Sequence, residues 1–250
     1  AGVDPLARAI AEQLRGTLWS NVIVENRPGA GGRLAIEALK SAPPDGSTLL
    51  LAPASNFTLF PHVFRKLSYD PVADLLPVSQ AFTYRMGLLV GPACPARNLH
   101  EYVAWVRANP AKNGLFATPA LGSVPHFVGD QFGKAAKIDL TPVAYRGSAP
   151  IWNDLLGGQV PAYFSPIASD AANRHRAGQA RILAIADPVR SRFLPDVPTF
   201  KESGFPVVID EWFGFFSPPK TAPALVQAQN DAVRKALGHP DVVAVLERVQ

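Results

Sequence analysis

Apolar and polar residues follow two alternating spacings along this chain, one typical of helices and one typical of strands. Near the start, four apolar residues recur every four positions: Leu6, Ile10, Leu14 and Leu18. This spacing predicts a helix with one apolar stripe. Residues 48–53 form a short apolar run after a Pro-Pro-Asp-Gly turn, which predicts a buried strand.

The same criteria predict helices and strands that alternate along the rest of the chain. Helices are predicted over residues 34–41, 58–64, 99–108, 125–136, 150–156, 168–177, 222–237 and 241–249. Strands are predicted over residues 21–25, 87–90, 115–118, 141–145, 160–165, 182–186 and 212–216. With about ten strands expected in all, the alternation indicates an α/β protein with mostly parallel sheets and helices on both faces.

A chain of 250 residues and this many predicted strands is expected to divide into two α/β lobes. We expect residues 1–90 and 211–250 to form a discontinuous first lobe and residues 91–210 to form the second. The connections between them are predicted hinge strands over residues 87–90 and 210–216.

Composition excludes several classes of protein. Hydrophobic residues make up 48% of the chain, so a disordered or fibrous chain is excluded. No apolar run reaches the length of about 18 residues that a membrane-spanning helix needs. A single cysteine, Cys94, excludes an intrachain disulfide and a thiolate zinc cluster. The start of the chain lacks a signal segment, so we expect that any export signal has been removed or never existed.

The charge is too weakly basic to indicate a nucleic-acid partner. Lysine and arginine exceed aspartate and glutamate by only four. The densest basic cluster is Arg174, His175 and Arg176, without the interleaved aromatic residues that nucleic-acid binding favours. We therefore expect no nucleic-acid partner and a weak preference for small anions.

Motifs for catalysis or cofactor binding are incomplete. The glycine-rich segment at residues 25–32 has Leu34 where a dinucleotide-binding loop needs its third glycine, and it lacks the end of a P-loop. No Gly-X-Ser-X-Gly motif is present, and Ser123 and His126 are poorly spaced for nucleophile and base. The five histidines form no metal-ligand pair. We expect no enzyme activity, no metal and no cofactor.

Three junctions between a predicted strand and a predicted helix carry similar residues. They lie at residues 54–56, 119–123 and 146–148, and each places a serine near the helix start. A helix start carries about half a positive charge and binds carboxylate or phosphate groups. Serine and asparagine are also ordinary helix caps, so both a binding role and a capping role stay open for each junction.

Seven motifs in order resemble one family over essentially the whole chain. They are ENRPGAGG (25–32), APPDGSTLLLA (42–52), LSYDPVADLLPVS (67–79), GSVPH (122–126), VAYRGSAPIWNDLLGGQV (143–160), RFLPDVPTFKESG (192–204) and EWFGFFSPPKTAP (211–223). Together they resemble the Bug-type (Bordetella uptake gene) receptors, the periplasmic solute-binding components of tripartite tricarboxylate transporters.

The resemblance implies a fold, a location and a function. The fold is the two-lobed type II periplasmic binding protein, which closes on a ligand in the cleft between its lobes. Its members carry small organic acids, such as di- or tricarboxylates or aromatic and nicotinate-like acids, to a membrane permease. They are periplasmic, monomeric receptors without metal, cofactor or catalytic residues. Compared with the family, both ends of this chain look shortened, and the first strand is expected to be missing.

The resemblance also implies a set of ligand-binding residues. The positions that match the family's ligand loops are Gly2, Ser55, Asn56, Ala120, Leu121, Gly122, Ser123, His126, Gly147, Ser148 and Ser165. Many relatives have an acidic residue where Ser165 stands, so a ligand without an amino group is expected. Backbone N–H groups and hydroxyls would hold a carboxylate, with Arg85 and Arg146 as further candidates.

Other functions are compatible with the sequence. One alternative is an enzyme on a similar two-lobed frame, which would need a positioned base or nucleophile. A second is a ligand-sensing domain of a regulator, which would need a DNA-binding helix. A third is a member of the receptor family that has lost ligand binding. The sequence does not name the solute.

Overall fold

The computed structural model describes residues 3–27, 29–119, 121–145 and 147–249, with side chains described up to residue 247. The elements in this part of the chain are α1 (Val3–Leu14), a 3-10 turn (Ala30–Gly32), α2 (Arg33–Lys40), β1 (Leu50–Pro53), α3 (Ser55–Thr58), α4 (Phe60–Val63), β2 (Leu76–Val90), α5 (Leu99–Ala108), α6 (Pro110–Asn113), β3 (Leu115–Thr118), α7 (Val124–Ala136), β4 (Thr141–Ala144), α8 (Ser148–Leu156), β5 (Ala162–Ile167), α9 (Ser169–Arg176), β6 (Arg181–Ile185), β7 (Glu211–Ser217), α10 (Pro223–Leu237) and α11 (Pro240–Val249).

The chain divides into two compact units. The first contains the described residues of Ala1–Thr83 together with Glu211–Val249, and the second contains the described residues of Tyr84–Asp210. The chain therefore leaves the first unit within β2 and returns to it at the start of β7. The lobes predicted from sequence, 1–90 with 211–250 and 91–210, place the first crossing later in β2. That the two units open and close as lobes stays a prediction.

The first unit is built on β1 and β7, which pair in antiparallel register with Leu50 opposite Phe216. β2 lies next to β7 in the strand order. The helices α1, α10 and α11 pack together on an apolar core that includes Val233 and Val242. A second cluster around Ile36 covers β1 with α2.

The apolar stripe near the start of the chain forms α1, as its spacing predicts. Leu6, Ile10 and Leu14 are buried at 0–4% exposure. Leu18 is 48% exposed and lies after the helix, so its inclusion in the stripe was wrong. Gly16 has a φ of +74°, a left-handed conformation that stops a helix.

Residues 21–25 do not form a strand in the described part of the chain, contrary to the prediction. Their side chains still alternate as in a strand. Val22 packs on the core of the first unit, and Ile23 is 83% exposed. A strand also requires a hydrogen-bonded neighbour, and the described residues supply none to this segment.

The sheet of the second unit contains both parallel and antiparallel pairs. β3 pairs in parallel with β4 and with β5, whereas β2 pairs antiparallel with β5 and with β6. The α/β class is confirmed. The sheet is mixed because β2, which is much longer than its predicted segment at residues 87–90, runs antiparallel to β5 and β6. Seven strands are described rather than about ten.

Aromatic rings fill part of the core of the second unit. Phe132 of α7 is fully buried and lies 5–6 Å, between ring centroids, from four other rings: Tyr102, Phe164, Phe200 and Phe205. Ring pairs at such distances and angles stabilise a core beyond their area burial. This packing anchors α7 against β5, and the start of α7 is therefore held by the core.

Candidate functional site

The helices α7 and α8 begin at the same edge of the second unit's sheet. β3 and β4 run parallel, with Thr118 opposite Ala144, so both strands end at that edge. The Tyr145 N–H donates to the Thr118 carbonyl at 2.9 Å and extends the pairing beyond β4. Neighbouring strands lie about 4.8 Å apart. The helices that follow them consequently start as neighbours.

Neither helix start is neutralised by its own residues. Neither α7 nor α8 has an acidic residue in its first turn, and neither has a side-chain cap. Proline lies in the first turn of α7 and removes one N–H donor there. The remaining backbone donors and the positive end of each helix favour an anion.

The start of α9, after β5, differs because an aspartate already occupies it. One Asp170 carboxylate oxygen accepts the Ala171 N–H at 2.8 Å, and the other accepts the Trp152 indole N–H at 3.0 Å. The Arg174 guanidinium lies 4.8 Å over the Trp152 ring. The negative charge that a helix start attracts is therefore supplied internally at α9, in contrast to α7 and α8.

The loop before α7 is held by side-chain contacts. The Gly122 N–H donates to His126 Nδ1 at 3.0 Å, and the Ser123 and Thr118 hydroxyl oxygens are 3.2 Å apart. His126 Nε2 lies 3.6 Å from Asp130 Oδ2. Both ring nitrogens of His126 therefore face groups of this chain, and the hydrogen bond from Gly122 ties the ring to the loop.

The loop before α8 depends on a glycine. Gly147 has φ +91° and ψ −179°, a combination that only glycine adopts readily. A Cβ built at this position would meet no atom within 4 Å, so the requirement comes from the backbone alone. Ser148 is exposed at the helix start, and its oxygen accepts a hydrogen bond from the Tyr163 hydroxyl at 3.3 Å.

In the first unit, Ser55 and Asn56 form the start of the single-turn helix α3 and are buried. The Asn56 amide nitrogen donates to the Gly31 carbonyl at 3.2 Å, and the Tyr69 hydroxyl donates to the Asn56 carbonyl at 2.5 Å. Burial raises the pKa of Tyr69 to about 12. A Cβ on Gly32 would lie 3.0 Å from the Asn56 amide nitrogen, so this close approach needs glycine.

Two other candidates are engaged within the second unit. Ser165 is 3% exposed, and its hydroxyl donates to the Pro166 carbonyl at 2.8 Å. Arg85 Nε lies 2.9 Å from Asp187 Oδ2. The two side chains therefore form an ion pair. Burial raises the pKa of Asp187, and the charge of Arg85 opposes that shift.

The structure brings only part of the predicted site together within one unit. Six predicted residues lie at the edge of the sheet where β3 and β4 end: Leu121, Gly122, Ser123, His126, Gly147 and Ser148. Ser165 lies on β5, and Ser55 and Asn56 belong to the first unit. Gly2, Ala120 and Arg146 lie outside the described residues. The predicted ligand-binding roles stay predictions.

Sequence reasoning did not find Asp130 or Asp170. Asp130 stands four residues after His126, the spacing that places two side chains on one helix face, and this signal was available in the sequence. Asp170 stands near the start of α9, where an acidic residue stabilises a helix. Its contact with Trp152 joins two helices and could not be read from spacing.

Other features of the described residues do not point to a different kind of site. Two open cavities of about 550 and 530 Å³ lie in the first unit, and no predicted site residue lines either. The described part of the chain contains no group of three or more metal-binding side chains. None of its helices is both long enough and apolar enough to cross a membrane.

Solved structures with the same fold define the class of protein. MatC of Rhodopseudomonas palustris, determined with bound malate, is 32% identical, with 98% of this chain and 83% of that chain covered at a TM-score of 0.85. An R. palustris protein determined with adipate is 27% identical, with 99% and 83% covered at a TM-score of 0.87. A structure described as a periplasmic transporter is 31% identical, with 98% and 82% covered at a TM-score of 0.86. The fold is that of periplasmic binding proteins.

The family is shown by sequence. The model of the tripartite tricarboxylate transporter family receptor matches residues 6–250, and the chain belongs to this family. BugT of Bordetella pertussis is 34% identical over 247 residues, 96% of this chain and 74% of BugT. The resemblance to Bug-type receptors is confirmed. Family members and solved neighbours are solute-binding receptors, so this chain is a receptor rather than an enzyme.

The chain spans only part of the length of the relatives that it matches. A UPF0065 protein of Bordetella bronchiseptica is 34% identical over 203 residues, which are 81% of this chain and 59% of that protein. The substrates and partners of the whole protein are therefore matters for proposal.

Proposed function

We propose that this chain captures a small carboxylate-bearing metabolite in the periplasm and delivers it to the membrane permease of a tripartite transporter. The observation that carries the proposal is the pair of neighbouring helix starts at α7 and α8, which lack acidic residues and side-chain caps. An anion at this edge would be stabilised by both helices. The malate and adipate bound to the two R. palustris relatives support a dicarboxylate as the ligand class.

Backbone N–H groups and hydroxyls are the proposed donors. The loops that end in Ser123 and Gly147 would direct their N–H groups to one carboxylate, and the exposed Ser148 hydroxyl would add a donor. Neutral donors hold an anion without the desolvation cost of a buried arginine. In the first unit, Ser55 and Asn56 are also proposed as ligand-binding residues, as the resemblance to the family implies.

An uncharged residue at position 165 favours a ligand without an amino group. Ser165 is buried and donates to the Pro166 carbonyl, so it presents no negative charge to a ligand ammonium. An ammonium group without a paired carboxylate would lose its hydration without compensation. Plain di- and tricarboxylates are therefore proposed in preference to amino acids.

A thermal-shift screen tests the proposal, because a ligand that binds only the native state raises the apparent stability. The panel would contain malate, adipate, citrate, nicotinate, glutamate and neutral sugars. We expect a rise in Tm with at least one carboxylate lacking an amino group, and no turnover of that compound. A response to sugars alone would refute carboxylate capture.

A further inference from the structure

We propose that Tyr163 is a positioning residue that sets Ser148 as a hydrogen-bond donor to a carboxylate at the start of α8. The buried Tyr163 hydroxyl donates to Ser148 Oγ, so the proton of Ser148 is directed away from the core. The inference rests on the proposed function for its effect on ligand affinity. The hydrogen bond itself lies within the second unit and can be tested without a ligand.

The backbone of Tyr163 is fixed inside the sheet of the second unit. β5 pairs with β2 on one side, where Tyr163 lies opposite Leu89, and with β3 on the other, where Tyr163 lies opposite Ala117. Tyr163 is 1% exposed. A tyrosine hydroxyl buried to this extent needs a hydrogen-bond partner, because burial without one costs the group its hydration.

The Tyr163 ring is held by a neighbour on α8. Trp152 lies edge-on to this ring, with the centroids 5.7 Å apart and the ring planes at 87°. The Trp152 indole N–H donates to Asp170 at 3.0 Å, and the Arg174 guanidinium lies 4.8 Å over the Trp152 ring. Because Trp152 is held on two sides, the Tyr163 hydroxyl has a defined position beside the first turn of α8.

The Tyr163 hydroxyl reaches Ser148, the first residue of α8, and donates to its Oγ at 3.3 Å. This separation is long for an O–H···O hydrogen bond, so the bond is a weak one. A serine hydroxyl has one proton and two lone pairs. Since one lone pair of Ser148 faces the Tyr163 O–H, the Ser148 proton must point elsewhere.

The start of α8 offers this proton no acceptor of the kind that a helix usually provides. Within a helix, a serine hydroxyl can donate to the carbonyl three or four residues before it. For Ser148 those residues are Tyr145 and Ala144, which belong to the end of β4 and the segment after it rather than to a helical turn. Ser148 is also exposed. Its proton is therefore available to a ligand.

A donor at this position favours a ligand group that accepts a hydrogen bond. A carboxylate only accepts, whereas an ammonium group only donates, and a hydrogen bond to a charged acceptor is stronger than one between neutral groups. The contact between Tyr163 and Ser148 thus adds a preference for carboxylates that is independent of the helix dipoles. It does so without a positive side chain in the site.

Thermal melts of four unliganded proteins test the hydrogen bond: the wild type, Ser148→Ala, Tyr163→Phe and the double variant. Ser148→Ala leaves the buried Tyr163 hydroxyl without its acceptor, so this variant should melt below the wild type. Adding Tyr163→Phe to Ser148→Ala removes the unpaired hydroxyl and should raise the Tm again. In the wild type the same change removes a hydrogen bond and should not raise the Tm. An equal effect of Tyr163→Phe in both backgrounds would overturn the inference.

Calorimetric titration of the same four proteins with malate, adipate, citrate and nicotinate tests the positioning role. Tyr163→Phe should weaken carboxylate binding about two- to fivefold when Ser148 is present, the effect of one weak hydrogen bond. In the Ser148→Ala background its effect should be less than about twofold, because the group that it positions is gone. A role of Tyr163 in packing alone predicts equal losses in both backgrounds, and that result would contradict the proposal.

Tyr102→Phe is the matched control for loss of a buried hydroxyl. Tyr102 of α5 is fully buried in the same unit, and its hydroxyl has no hydrogen-bond partner among the described residues. This variant should bind the carboxylates as the wild type does. If none of the four carboxylates binds the wild type, the proposed function and the positioning role are both refuted, and the melts still decide whether Tyr163 and Ser148 are hydrogen-bonded.

Discussion

Replacement of Gly147 by alanine should isolate the backbone strain that shapes the loop before α8. With φ at +91° and ψ at −179°, this residue occupies a region that costs a non-glycine residue about 1–3 kcal/mol. An added Cβ would meet no atom within 4 Å, so no steric term adds to the cost. We therefore expect Gly147→Ala to lower the free energy of unfolding of the second unit by about 1–3 kcal/mol.

Urea unfolding measures this loss directly, and a thermal melt should show about 2–4 °C per kcal/mol. Gly238→Ala is the matched control, because Gly238 has φ −82° and ψ −4° and the nearest atom to an added Cβ lies at 3.7 Å. That variant should be unchanged or more stable by up to about 1 kcal/mol. A Gly147→Ala protein as stable as the wild type would show that the loop is not held in this conformation, and would remove it from the proposed site.

Two further predictions concern the serines of the site and the partly buried ion pair of Arg85 with Asp187. The double variant Ser123→Ala with Ser148→Ala should weaken carboxylate binding by about 1–3 kcal/mol, as expected for lost donors to a charged group; unchanged affinity in calorimetry would refute the site assignment. Burial raises the pKa of Asp187 above its reference value of 3.8, so the native state binds this proton more tightly than the unfolded chain does. The wild type should therefore lose stability relative to Asp187→Asn as pH rises from about 4 to about 6, so the difference between their free energies of unfolding should fall. A rise in that difference, measured by urea unfolding at each pH, would contradict this assignment.

Local sequence predicted most elements of the second unit well. α5 at Leu99–Ala108 and β3 at Leu115–Thr118 coincide with their predicted ranges, and α7 and α8 begin within two residues of theirs. In these segments the apolar period, the caps and the nearby glycine or proline agree. Each element therefore forms where its own residues favour it. The apolar face set by its spacing of hydrophobic residues then packs into the core.

Strand pairing was predicted less well, because it depends on residues far apart in the chain. The antiparallel contacts of β2 with β5 and β6 join segments separated by about 70 to 100 residues, and no local signal reports them. Residues 21–25 illustrate the converse, since they have the alternation of a strand but no described partner. The alternation of apolar and polar residues along a segment indicates which side chains are buried. The segment forms a strand only when a neighbouring backbone hydrogen-bonds to it.

The candidate site shows the same division. The helix-start serines and the glycines at 122 and 147 could be read from sequence, because caps and left-handed turns leave local signatures. The engagement of His126 with Gly122 and Asp130, and of Trp152 with Asp170, could not. These contacts decide which helix starts keep their positive end available and which are already neutralised.

The sequence by itself therefore determined the family, the α/β class, most helix and strand positions, and the residue types suited to hold a carboxylate. The tertiary structure alone decided that β3 and β4 end side by side, that α9 carries its own anion whereas α7 and α8 do not, and that His126 faces inward to its loop. The physical reason is the distance along the chain over which each interaction acts. Helix periodicity, capping and glycine conformations act within a few residues, whereas the electrostatic environment of a helix start depends on side chains brought to it by the folding of distant segments.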